Sequence, residues 1–226
     1  MKKTGFTLAE VLITLTIIGV IATLTLPALM NNTAEQQYKA GLKKGLNTLT
    51  IAGETNEAIE GFNYAGTSAN SSADNRDPAN TASIYAILAS RASVDLAKCG
   101  TKGPMSANTV TNPSSNFAVY FRDGSVVMFK SDAVGNGSTA NVMKADGLPY
   151  GIPAVLDVNG PKQPNLLSNC AGTVSLNSEA TSGTNDKGDQ TECNDANRVI
   201  KDRFAIRLRG HYAVPNGRAA KWAMEH

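Results

Sequence analysis

Gly5-Phe6-Thr7-Leu8-Ala9-Glu10 opens an apolar run that continues to Met30, and the reading of that run decides the fold. A short basic head, Met1-Lys2-Lys3-Thr4, precedes it, and Glu10 is the only charged residue between Lys3 and Glu35. Val11 to Met30 is rich in Leu, Ile, Val, Ala and Thr. A helix needs about 20 apolar residues to cross a bilayer, and this run is long enough. Lys2 and Lys3 lie before it, so the positive-inside bias predicts a cytoplasmic N-terminus with the remainder of the chain across the membrane. An acidic residue at mid-bilayer costs on the order of 2.5–3.5 kcal/mol on insertion scales. Such a carboxylate is expected to have a partner, and a positive group on a neighbouring copy of the same segment is the natural one.

Two other readings fit the spacing and charge. An ordinary secretory signal peptide is cut beyond its apolar core at a small-x-small site, and Asn32-Thr33-Ala34 is a poor version of one. A plain single-span anchor is the other. The wording of the segment separates them. Gly5-Phe6-Thr7-Leu8-Ala9-Glu10 resembles the class III signal of type IV pilins and type II secretion pseudopilins, and the resemblance covers roughly the first 30 residues. It implies cleavage by a prepilin peptidase after Gly5, methylation of the new N-terminal Phe6, and assembly through Phe6, Glu10 and Pro27, which match the family positions. It also implies an α+β, pilin-like fold: a long N-terminal transmembrane and amphipathic helix packed on a small antiparallel β-sheet head. The expected organisation is a leader at 1–5, a membrane and polymerisation helix at 6–30, its amphipathic continuation at 31–62, and an extracytoplasmic head at 63–226.

Gly19 and Pro27 weaken the helix between them, because Gly lowers propensity and Pro removes a backbone donor. Beyond Ala34 the pattern turns amphipathic. Tyr38, Leu42, Leu46, Leu49 and Ile59 recur near helical spacing, with Lys39, Lys43, Glu54 and Glu57 largely elsewhere. That stripe is expected to pack against the head. Residues 61–81 read as an exposed connector, and a second helix is expected from about Ser83 to Lys98. Phe117–Phe121 and Ser125–Phe129 flank Asp123-Gly124 and read as a hairpin. Ala154–Val158 is a third strand. Arg203–Leu208 alternates charged and apolar residues, which predicts one buried and one wet face.

The chain has 226 residues and a formal net charge of +2. After the N-terminal helix this suffices for one modest domain. No strong basic field points to nucleic acid. Lys39, Lys43 and Lys44 read as a solvated face or a contact with lipid headgroups. An extracytoplasmic location permits disulfides among the three cysteines. Cys170–Cys193, closing a polar loop, is the favoured pair; Cys99–Cys170 and Cys99–Cys193 stay open. Their spacing has no CxxC character, which argues against zinc or thiol–disulfide catalysis.

Asp157-Val158-Asn159-Gly160-Pro161 reads first as a turn. The sharper alternative is calcium, with Asp157, Asn159 and Asp202 as hard oxygen donors, since calcium takes about 6–8 such ligands. Some pseudopilins use calcium in the corresponding region, which is a family implication. No enzyme is expected. The two histidines are His211 and His226, and no nucleophile-elbow, zincin or phosphate-loop motif appears.

The resemblance implies a structural subunit of a type II secretion pseudopilus or a type IV pilus, held in the inner (cytoplasmic) membrane. Its partners would be copies of itself, other pilin-like subunits, the prepilin peptidase, an inner-membrane assembly platform and membrane lipid. The alternatives are a minor pilin used in adhesion or DNA uptake, and a membrane-tethered secreted hydrolase.

Overall fold

The computed structural model describes residues 5, 7–67, 82–99, 116–130, 151–170 and 193–226. The chain divides into two compact units, residues 1–37 and 38–226. The fold is α+β: an N-terminal apolar helix and a five-stranded antiparallel sheet. Helix α1 (Leu8–Glu60) contributes to both units. In the first unit its side chains from Val11 to Leu26 are largely exposed. The helical backbone runs through Pro27 without a break.

In the second unit, α1 turns one face inward. Leu42, Leu46, Leu49 and Ala52 are buried, as the 3.6-residue period requires. Ile59, placed on that stripe from its spacing, is exposed instead, because the buried series continues through Asn56. Lys39, expected outside the stripe, is buried, with its Nζ over the Trp222 ring at 4.3 Å. An aromatic face attracts an ammonium, and the aliphatic stem packs well. The helix ends where Gly61 takes φ +76° and donates its N–H to Glu57 O. Glycine accepts this left-handed cap without a Cβ penalty.

The sheet runs in chain order: β1 (Asn116–Tyr120), β2 (Val126–Lys130), β3 (Ile152–Asp157), β4 (Arg203–Arg209) and β5 (Tyr212–Pro215). Phe117, Val119, Val127, Phe129, Leu156 and Phe204 share a buried core with the leucines of α1. The other face carries a second cluster, with Tyr120, Val126, Met128, Val155 and Leu167. Sheet and helix come very close together. A Cβ on Gly45 would meet Leu156 Cδ2 at 2.5 Å, and one on Gly53 would meet the carbonyl oxygen of His211 at 2.5 Å.

This contact sets up the first prediction. In a free helix, Gly→Ala gains about 1 kcal/mol of propensity. Gly53→Ala instead drives a methyl into backbone, and overpacking of this kind costs about 1–3 kcal/mol. Urea unfolding should show the variant destabilised or at best unchanged; a gain near 1 kcal/mol would mean the helix does not press on the β4–β5 turn.

The 3-10 turn Tyr64–Gly66 follows α1. Tyr64 is buried there and donates its hydroxyl to Leu49 O at 2.6 Å. The start of the expected connector is therefore packed, while 68–81 lies outside the described residues. Helix α2 (Ile84–Arg91) begins as expected, with Ser83 accepting from Ala86 N. It stops before Lys98, because Val94 leaves the helix to bridge Phe121 and Asp95 N donates to Tyr120 O. Arg91 pairs with Glu60 at 2.6 Å and ties α2 to the end of α1. Helix α3 (Arg218–Glu225) buries Ala219, Ala220, Trp222 and Ala223.

The wet face expected for β4 is not wet. Arg203 and Arg207 are 3 % and 2 % exposed. Residues 166–168 run beside β4, with Ser168 N donating to Arg203 O and Arg203 N donating to Leu166 O, and the Leu167 side chain is buried in the cluster on this face. Cys170 and Cys193 form a disulfide with their Cα atoms 5.0 Å apart, within the usual range for such a bridge. It joins the loop after β3 to the segment that leads into β4.

Candidate processing and assembly segment

Thr7 is the residue before α1, and Glu10 lies three residues further on. The Thr7 backbone N–H and hydroxyl both donate to Glu10 Oε2 at 2.8 Å. Glu10 N in turn donates to Thr7 Oγ1 at 3.3 Å. This reciprocal pair is a capping box, and it satisfies donors that a helix start leaves open. The Thr-x-x-Glu pattern before an apolar run is the sequence signature of this box, and it gives Glu10 a partner nearer than the intermolecular amine expected for it. Glu10 therefore has a local role within its own chain, and the bonds fall on one carboxylate oxygen.

Leu8–Leu26 spans 19 residues and is long and apolar enough to cross a membrane. At 1.5 Å per residue it is about 28 Å long, close to the thickness of a hydrocarbon core. The threonines within it do not leave hydroxyls bare. Thr14, Thr16, Thr23 and Thr25 donate to carbonyls three or four residues back, at 2.8–3.0 Å. Such back-bonding lets a hydroxyl sit in an apolar medium. Gly5 is exposed, with nothing within 4 Å of a Cβ built on it. Phe6 lies outside the described residues, and for Pro27 only the helical backbone is described.

Residues 1–26 match the prokaryotic N-terminal methylation motif. This is the type IV pilin and pseudopilin signal. No curated protein and no solved structure matches the chain. The signal brackets the geometry just described: Gly5, the Thr7–Glu10 box and the apolar span all fall inside it. With the apolar helix behind it, the signal fits a membrane-anchored pilin-type substrate of a prepilin peptidase.

The other site expected from sequence is the Asp157 loop. Asp157 lies directly opposite Arg203 across β3 and β4, and its Oδ2 accepts from Arg203 Nε at 2.8 Å. Its Oδ1 accepts from Gly160 N at 2.7 Å and from Asn159 N at 3.2 Å. Asp202 accepts from Asn165 N at 2.7 Å and from Leu166 N at 2.9 Å. Arg203 Nη2 also reaches Asn165 Oδ1. These carboxylates are engaged by backbone N–H groups and a guanidinium, and a cation beside Arg203 would be repelled. Of the three expected donors only Asn159 keeps an oxygen without a partner, so the arrangement does not offer the several free, converging oxygens that calcium wants. Among the described residues, no group of three or more His, Cys, Asp or Glu is placed to hold a metal. Removing divalent metal with EDTA should leave the melting temperature where it was; a drop reversed by added calcium would restore the metal reading.

The pair is buried deeply: Asp157 is fully buried and Arg203 nearly so. Burial pushes the Asp157 carboxyl up to about 6, against the pull of Arg203 and with a further push from Asp202. His211, read as a surface residue after the last strand, sits in the turn between β4 and β5 and meets Glu57 at 2.7 Å.

Proposed function

We propose that this chain is a structural subunit of a pilus-type filament, a type II secretion pseudopilus or a type IV pilus. The observation that carries this reading is the methylation motif at residues 1–26, with Glu10 as its one acidic residue. A prepilin peptidase removes the leader after Gly5, and the new N-terminal amine on Phe6 is methylated. The processed helix then leaves the bilayer at an inner-membrane assembly platform and bundles with copies of itself and other pilin-like subunits. Nothing in this role requires catalysis by the chain.

Electrostatics supports the assembly step. In a helical bundle the effective dielectric is low, and attraction between opposite charges grows as it falls. The Thr7 bonds hold one oxygen of Glu10, and a carboxylate has lone pairs left for a second donor. The Phe6 amine of a neighbouring copy is that donor, and a buried polar pair of this kind fixes register. Cleavage creates the amine, so it couples a covalent step to polymer competence. The test is the intact N-terminal mass of the protein from its native membrane fraction. A chain starting at Phe6, with or without an added methyl, supports the reading. A chain starting near Glu35 would overturn it.

A further inference from the structure

The charges of α1 beyond Tyr38 are sorted along its length. Lys39, Lys43 and Lys44 come first, Gly45 to Gly53 carries no charge, and Glu54, Glu57 and Glu60 come last. The C-terminal end of a helix is partly negative, so cations belong there. This end holds the three carboxylates, with no basic residue in its last turn. Lys39 and Lys43 stand at i and i+4, and the glutamates repeat at i and i+3, spacings at which like charges repel on one helix. A pattern that works against local helix stability calls for a gain elsewhere.

Contacts within the head account for part of it. Lys39 is buried over Trp222, Lys44 meets Asp123, Glu57 meets His211 and Glu60 pairs with Arg91. Lys43 and Glu54 are exposed, and among the described residues neither has an ion-pair partner. They are eleven residues apart, close to three turns, so they lie on one stripe of the helix, about 16 Å from each other. Asn47, Ile51 and Ala58 share this stripe and are exposed with them. Ile51 is 49 % exposed. The stripe therefore has a basic end, an uncharged middle with a bare isoleucine, and an acidic end.

We propose that this stripe is a contact between copies of the chain, with Lys43 of one copy on Glu54 of a second. The inference rests on the filament reading and adds to it a contact between heads, wholly within residues 38–226. Parallel copies in register would set lysine against lysine and glutamate against glutamate. A shift of about 16 Å along the helix sets opposite charges together and brings Ile51 beside the exposed Ala40. Subunits of one filament share one polarity, so the contact runs head to tail and does not close on itself. An exposed ion pair adds little affinity. Its effect is to reject wrong registers and so to set the offset between neighbours. A lipid surface would answer Lys43 and leave Glu54 and Ile51 unmatched.

The test is zero-length coupling with a water-soluble carbodiimide, applied to sheared filaments of the native chain, followed by digestion and mass spectrometry. The reagent activates a carboxylate, a lysine amine displaces it as a urea, and an amide forms between groups already in contact. Within one chain Lys43 and Glu54 are too far apart to be joined, so their amide reports two copies. The expected result is a Lys43–Glu54 linkage in a ladder of dimers, trimers and longer species. Lys43→Glu and Glu54→Lys should each lower filament yield about fivefold without moving the melting temperature, and the two together should restore it. A linkage confined to dimers would mean an antiparallel pair and overturns the proposal. Filaments that lack the linkage, or full yield from both single reversals, overturn this inference alone. A chain that starts at Phe6 and still yields no filaments overturns the filament reading, and this contact with it.

Discussion

Arg203→Met should cost the head about 3–5 kcal/mol, the range for breaking a buried ion pair from one side. The guanidinium is the only cation bonded to Asp157 among the described residues, and neither partner is open to water. Without it the carboxylate keeps its bonds from Gly160 and Asn159, but it also keeps the unfavourable influence of Asp202. Single domains are stable by about 5–15 kcal/mol, so the loss is a large share of the whole.

The deficit should depend on pH with a definite sign. In the native chain burial already raises the Asp157 carboxyl to about 6, above its unfolded value of 3.8. A raised folded value means that protonation favours the fold. This contribution is fully present below about 3.8 and is lost as pH rises through about 6. Arg203 opposes the rise, so removing it sends the folded value higher still. The stability gap between Arg203→Met and the native chain should therefore be wide at pH 8 and narrower at pH 5. Adding Asp157→Asn to the variant should recover part of the loss at pH 8, because it removes the stranded charge. Urea melts at the two pH values decide it; an equal gap at both would mean that the Asp157 charge is not what the arginine answers.

Glu10→Val should abolish filament formation while leaving membrane insertion intact. Insertion depends on the apolar span Leu8–Leu26, which the change leaves at 19 residues and makes more apolar. On the proposed reading, assembly depends on the carboxylate meeting a neighbouring amine. Truncating one partner of a buried charge pair costs about 2–5 kcal/mol, which exceeds a tenfold loss in affinity at each contact. The variant also loses the capping box, worth about 0.5–2 kcal/mol to the helix start. Thr7→Val separates the two effects, because it removes the hydroxyl of the box and keeps the charge. Pelleting of sheared filaments and immunoblotting of the membrane fraction report assembly and insertion independently. The expected order is native, then Thr7→Val slightly reduced, then Glu10→Val absent. Normal filaments from Glu10→Val would remove the charge mechanism, and equal loss in Thr7→Val would assign the effect to the cap.

The two sites differ in how far they could be read before the fold was known. The Thr7–Glu10 box is fully legible, since Thr-x-x-Glu ahead of an apolar run is a local pattern; a lone acidic residue in a long apolar span points equally to a distant partner, and the local one is the one the structure shows. Asp157 was legible only as an acidic residue in a turn. Its partner Arg203 lies 46 residues away and meets it only when β3 and β4 adopt their register. Arg203 and Arg207 misled for the same reason: alternation tells which residues share a face, and not whether something covers it.

By itself, the sequence determined what depends on near neighbours. The apolar span, the helix start at Thr7, the helix end at Gly61, the Ser83 cap and the Asp123-Gly124 hairpin all follow from bonds and propensities within a few residues. The processing signal belongs to this class, since it lies in one continuous stretch, residues 1–26. Tertiary structure alone decided what depends on distant elements meeting. It buried Lys39 under Trp222, pressed Gly45 and Gly53 against the sheet and its turn, and joined Asp157 to Arg203. Close packing and low dielectric arise only when separated segments exclude water together, so the residues that feel them carry no local mark.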